Sequence, residues 1–84
     1  MAQRNATLYR MKLSTHECPF GLLAKRMLED ADFVVDEHLL TTREQVNEFK
    51  TDHGVSTTPQ AFIDGQRIGG SDELAHYLGQ VSQN

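Results

Sequence analysis

Residues 60–70 read QAFIDGQRIGG. Asp64-Gly65 is a dipeptide that tolerates the positive φ angles of a tight hairpin, so its flanks read as two short antiparallel strands. Upstream, TTREQVNEFKTDHG (41–54) has a capping box in Thr42 and Gln45, a buried side in Val46 and Phe49, and a stop at Gly54. FVVDEHLL (33–40) is β-branched and apolar and reads as a strand. Before it, Phe20, Leu23, Ala24, Met27, Leu28 and Ala31 recur at helical spacing, with Lys25, Arg26, Glu29 and Asp30 on the other side. ATLYRMKL (6–13) alternates Tyr9, Met11 and Leu13 against Arg10 and Lys12, the period of a strand. Downstream of the hairpin, Ser71 is placed to cap a helix whose Leu74, Tyr77, Leu78 and Val81 share one stripe.

The element order is therefore β-α-β-α-β-β-α. A strand–helix–strand unit crosses over right-handed and makes its strands parallel, and the hairpin adds antiparallel strands. A mixed four-stranded sheet flanked by three helices is the predicted α/β architecture.

The chain has 84 residues, 38% hydrophobic and 24% charged, the balance of one small globular domain over 1–84 with an ordered core of about 7–80. VSQN (81–84) reads as a fraying tail. The opening MAQRNATLYRMKL has no apolar leader core, and no run of about 18 apolar residues occurs, so a soluble cytoplasmic chain with no membrane partner is expected. The net charge is −4 and the eight Lys and Arg are scattered, which gives no footprint for nucleic acid. One cysteine excludes an internal disulfide and any Cys₄ or Cys₂His₂ metal site within the chain.

That cysteine lies in THECPFG (15–21). With Pro19 at the first helical position, Cys18 falls at the N-cap, facing the unpaired N–H groups and the positive end of the helix. Those groups favour thiolate over thiol, which makes a nucleophile of Cys18. His16 next to the thiol favours the thiolate when charged, and Glu17 disfavours it. The other histidines, His38, His53 and His76, read as solvated.

Four stretches together resemble the glutaredoxin family, over Leu8 to Gly79: CPF after the first strand, TTPQ before the hairpin, FIDGQRIGG through it, and SDEL at the last helix. The resemblance implies a thioredoxin fold with sheet order 2-1-3-4. It implies an oxidoreductase whose co-substrate is glutathione and whose partners are glutathionylated proteins or small disulfides. Dithiol members carry a second cysteine where this chain has Gly21, so Cys18 would work as a monothiol, with a second glutathione resolving the mixed disulfide. Glycine in a first helical turn costs up to ~1 kcal/mol relative to alanine, and Gly21 reads as serving close approach to the sulfur.

The family's glutathione groove carries over to Thr15, Phe20, Thr58, Pro59, Gly70, Ser71 and Asp72, with a cis bond between Thr58 and Pro59. Its glycyl carboxylate meets a lysine three residues before the cysteine, where this chain has Thr15, which leaves Lys12, Arg43 and Lys50 as candidate cations. Two other readings share the fold. One is a carrier of a glutathione-ligated iron–sulfur cluster, with Cys18 as protein ligand of a dimer; a chain without a cluster would be a monomer and hold no metal. The other is an interaction module without chemistry.

Overall fold

The computed structural model describes residues 4–82, without the side chains of residues 80–82. Ala6, Leu8 and Arg10 are buried on one face of β1 (Asn5–Leu13), while Thr7, Tyr9 and Met11 lie half-buried on the other. This reverses the face expected for Arg10: it belongs to the core side with Ala6 and Leu8, not to a polar side opposite Tyr9.

β1 pairs in parallel with β3 (Val34–Leu40) from Asn5↔Val34 to Met11↔Leu40, and antiparallel with β4 (Gln60–Ile63) from Ala6↔Ile63 to Tyr9↔Gln60. β4 pairs antiparallel with β5 (Gln66–Gly69) across the Asp64-Gly65 turn, where both residues have positive φ. The order β3-β1-β4-β5 is the 2-1-3-4 order that the resemblance implies. A fifth strand was not expected: β2 (His16–Glu17) turns back on β1 through Ser14-Thr15, with Lys12 opposite Glu17 and Leu13 opposite His16.

Three helices complete the fold: α1 (Pro19–Asp30), α2 (Arg43–His53) and α3 (Ser71–Ser82). α1 and α3 pack on the Leu8 face, where Leu8, Leu28, Ile63 and Leu74 are fully buried. Each such side chain contributes about 1.5–3 kcal/mol of hydrophobic stabilisation. Ala24 and Leu28 hold the buried side of α1, but Leu23 and Ala31 of the expected stripe are exposed. Those two apolar positions fall at the margin of a seam that Gly21, Ala24 and Leu28 already fill.

α2 covers the opposite face, where Phe49 packs on Tyr9 with ring centroids 4.6 Å apart. His38 and His53 are exposed, yet His38 stacks on the same Tyr9 at 4.8 Å and His53 meets it tilted at 5.5 Å, so neither is a purely solvated side chain. The α2 cap forms as read, with Gln45 N–H donating to Thr42 Oγ1 at 3.1 Å and Gly54 closing the helix at φ 63°. Gln45 Oε1 reaches one residue further back than expected, accepting from the Thr41 N–H at 2.8 Å.

At α3, Ser71 is the first helical residue rather than the cap. Gly70 precedes it, accepting from Leu74 N–H at 2.9 Å through its carbonyl and donating its N–H to Glu73 Oε1 at 3.0 Å. The Val81 side chain lies outside the described residues. Regular structure runs from Asn5 to Ser82.

Candidate active site

α1 starts at Pro19 because proline supplies a helix-ready φ and lacks only an N–H that the first turn leaves unpaired anyway. Cys18 is therefore the N-cap, in extended conformation at φ −69° and ψ 121°, half-buried, with its side chain free of any capping hydrogen bond. Its carbonyl accepts from Gly21 N–H at 3.1 Å, which closes the first turn.

Two residues on, Phe20 is 57% exposed, so it is no core residue. It forms one side of a groove of about 290 Å³ whose other sides are Thr57, Thr58, Pro59, Gly70, Ser71, Asp72 and Glu73. The Thr58-Pro59 bond is cis, as the resemblance implies. Six expected site residues, Phe20, Thr58, Pro59, Gly70, Ser71 and Asp72, thus converge from three separate segments; Cys18 itself is not in the lining, and its segment reaches the groove through Phe20, two residues on.

Thr15 does not join them. The chain before the thiol folds back as the β1–β2 hairpin, and Thr15 occupies its exposed turn instead of an extended segment leading to the groove. His16 is exposed in β2. None of the expected cations lines the groove: Lys12 is exposed in the hairpin, Arg43 is exposed at the start of α2, and Lys50 lies half-buried near the end of that helix. A polar cleft of about 230 Å³ continues the groove through Thr57, Gly70 and Glu73, and its cation is Arg67. A cavity of about 620 Å³ lies between Arg4, Met27, Phe33 and Leu78 and shares no lining residue with the groove.

The main feature that sequence reading missed lies beneath α1. Arg10 is 5% exposed; its Nε donates to Glu37 Oε2 in a short contact, and its Nη1 donates to Glu17 Oε2 at 2.5 Å. Lys25 Nζ donates to the second Glu37 oxygen at 3.4 Å. Burial opposes the Arg10 charge, but the hydrogen bonds and charges of Glu37 and Glu17 outweigh it and hold the guanidinium above its ordinary range. Burial likewise pushes the Glu37 carboxyl up, and Arg10 with Lys25 pull it net below the usual carboxylate range. The face reversal in β1 follows: Arg10 can sit in the core because two carboxylates meet it there.

Arg10 also explains Gly21. A Cβ at position 21 would lie 2.9 Å from Arg10 Cβ and 3.2 Å from its Cδ. The close approach that requires glycine is thus to Arg10, not to the sulfur, and a second cysteine there would force α1 away from β1.

Comparison with known proteins agrees with this geometry. The family model described as glutaredoxin matches residues 7–68. The hybrid peroxiredoxin hyPrx5 of Haemophilus influenzae is 38% identical over 61 residues, covering 73% of this chain and 25% of that protein. Glutaredoxin 1 of Rickettsia prowazekii is 37% identical over 60 residues, covering 68% of this chain and 63% of that one. The chain thus spans under two thirds of the length of these relatives. Among solved structures, glutaredoxin 1 from Francisella tularensis, complexed with cacodylate, superposes with a TM-score of 0.80 at 26% identity, covering 92% of this chain and 94% of that one. With that sequence match and that superposition, the chain belongs to the glutaredoxin family and has its thioredoxin-like fold.

Proposed function

We propose that the chain is a monothiol, glutathione-dependent thiol–disulfide oxidoreductase. The observation that carries this is the placement of the sole cysteine at the N-cap of α1, the helix whose Phe20 lines a groove with Thr58-Pro59 and Gly70–Asp72. The Cys18 thiolate attacks the glutathionyl sulfur of a mixed disulfide; that S–S bond breaks, and the substrate sulfur leaves as thiolate and takes a proton. A second glutathione thiolate then attacks the Cys18–glutathione disulfide, giving oxidised glutathione and returning Cys18 as thiolate. The sum is one glutathionylated substrate plus one glutathione giving one reduced substrate and one glutathione disulfide.

Each part of glutathione has a counterpart in the groove. Thr58 offers its backbone to the cysteinyl part as an added strand would. The start of α3 receives the γ-glutamyl carboxylate, and Asp72 its ammonium. Arg67 in the continuing cleft takes the place of the expected cations for the glycyl carboxylate. Incubation with oxidised glutathione at neutral pH is expected to leave one glutathione on Cys18 by mass spectrometry, and none on Cys18→Ser. A wild-type thiol that stays unmodified would sink this function.

A further inference from the structure

Glu17 is a carboxylate immediately before the nucleophile, and an uncompensated anion there opposes both a thiolate and an anionic substrate. The chain retains it and places a buried guanidinium against it. We propose that Arg10 is the positioning residue of the site: it clamps the Cys18 segment to the sheet through Glu17 and Glu37, and cancels the Glu17 charge beside the sulfur. This deepens the exchange function above and takes Cys18 as its nucleophile.

Three observations carry it. Arg10 joins β1, β2 and β3 by one fork, so the residue before Cys18 is tied to two strands by a side chain that is 6% exposed. The stem of Arg10 lies directly under the first turn of α1, where a Cβ at position 21 would meet its Cβ and Cδ. The charges sum to zero: Arg10 and Lys25 against Glu17 and Glu37. Lys12 stands exposed opposite Glu17 in the hairpin register, His16 is its exposed neighbour, and Asp72 and Glu73 line the far wall of the groove. Of these, Arg10 is the cation that Glu17 meets at hydrogen-bond distance.

The test reads the field at the sulfur without glutathione. At fixed pH and low ionic strength, Cys18 is alkylated with iodoacetate, an anion, and with iodoacetamide, which is neutral, and the ratio of the two rate constants cancels reactivity common to both. Arg10→Gln is expected to lower that ratio and Glu17→Gln to raise it, each by roughly two- to threefold, as for a unit charge about 8 Å away through a largely aqueous medium. The double variant is expected to return to the wild-type ratio, and Arg10→Lys to keep it while losing stability. Near 1 M salt the differences should vanish, because the Debye length falls to about 3 Å.

Single variants that both leave the ratio unchanged, or move it in the same direction, overturn the proposal, since a purely structural fork has no sign. If Arg10→Gln does not fold, Glu17→Gln decides alone, and an unmoved ratio overturns it. Opposed shifts in a chain that forms no glutathione adduct would sink the exchange function and leave the role of Arg10 standing. An adduct with unmoved ratios would do the reverse.

Discussion

The two walls of the groove face one another but are held by different means. On the proline wall, the chain path is set mainly by the backbone: Pro59 is buried, Gly69 sits at φ 126°, and Gly70 joins α3 by accepting from the Leu74 N–H, with its own N–H held by the Glu73 carboxylate. Even the buried side chain there, Gln60, is tied to the main chain, donating to the Thr57 carbonyl at 3.0 Å. On the cysteine wall, a two-residue strand would hold little by itself, and the segment before Cys18 is fastened by charged side chains from strands far apart in sequence. A backbone-held wall keeps its shape through most side-chain changes, whereas a wall held by an ion network depends on a single guanidinium.

The comparison breaks most directly at that guanidinium. Arg10→Gln is expected to cost about 2–3 kcal/mol in chemical denaturation, somewhat below the 3–5 kcal/mol of a fully buried broken pair, because both carboxylates retain some contact with water. A loss below about 0.5 kcal/mol would show that the cysteine wall does not rest on this fork. On the proline wall the corresponding weak point is a backbone angle. Gly69→Ala is expected to cost about 2 kcal/mol, since φ 126° is unfavourable for any residue with a Cβ and the added carbon would lie 2.9 Å from Glu73 Cβ. Replacing Glu73 with glycine as well clears the contact but not the angle, so most of that cost should remain.

The same division sets how much was legible in the sequence. On the proline wall the Asp64-Gly65 turn could be read from its own residues, whereas the cis Thr58-Pro59 bond and the role of GGSD were implied by the resemblance to the glutaredoxins. The helices and the four longer strands were legible through apolar spacing, and the order of those strands through the resemblance. The cysteine wall was legible only at Pro19 and Cys18. β2 makes two residue pairs and lacks a glycine or asparagine turn, so no periodicity announces it. Arg10 and Glu37 are 27 residues apart; alternation sets Arg10 on the polar face, and its oddness in a central strand leaves open whether it marks the strand's start, reaches the edge or supports the site. A second signal is Gly21, an unfavourable residue for a first helical turn, which marks a close approach that reads as one to the sulfur and is one to Arg10.

Gly21 sharpens the contrast, with a smaller effect. Its backbone is not in the positive-φ region, so only the space taken by Arg10 excludes a side chain. Gly21→Ala is expected to cost about 1 kcal/mol, an overpacking penalty of about 1–3 kcal/mol partly offset by the helix propensity of alanine. In an Arg10→Gly background, assayed in a stabilising osmolyte, the same substitution should turn neutral or stabilising. The paired experiment at Gly69 and Glu73 should show no such reversal. Equal rescue at both sites would remove the distinction between the walls.

The smallest expected effect separates the walls by pH. The folded Glu37 carboxyl is held below its ordinary range, so folding favours its ionised form. The stability this provides is fully present above the unfolded glutamate value of about 4.3 and is lost as pH falls from there through the lower folded value. Arg10 stays charged throughout, so the whole acid-side change in this pair belongs to Glu37. Glu37→Gln should be less stable than wild type at pH 7, and the gap should narrow on acidification by at most about 1 kcal/mol, the upper range for an ion pair within reach of water. Denaturation curves at pH 7, 4 and 3 measure it. A gap that stays constant would mean that Glu37 acts on the cysteine wall through shape alone, and would remove charge as the difference between the two walls.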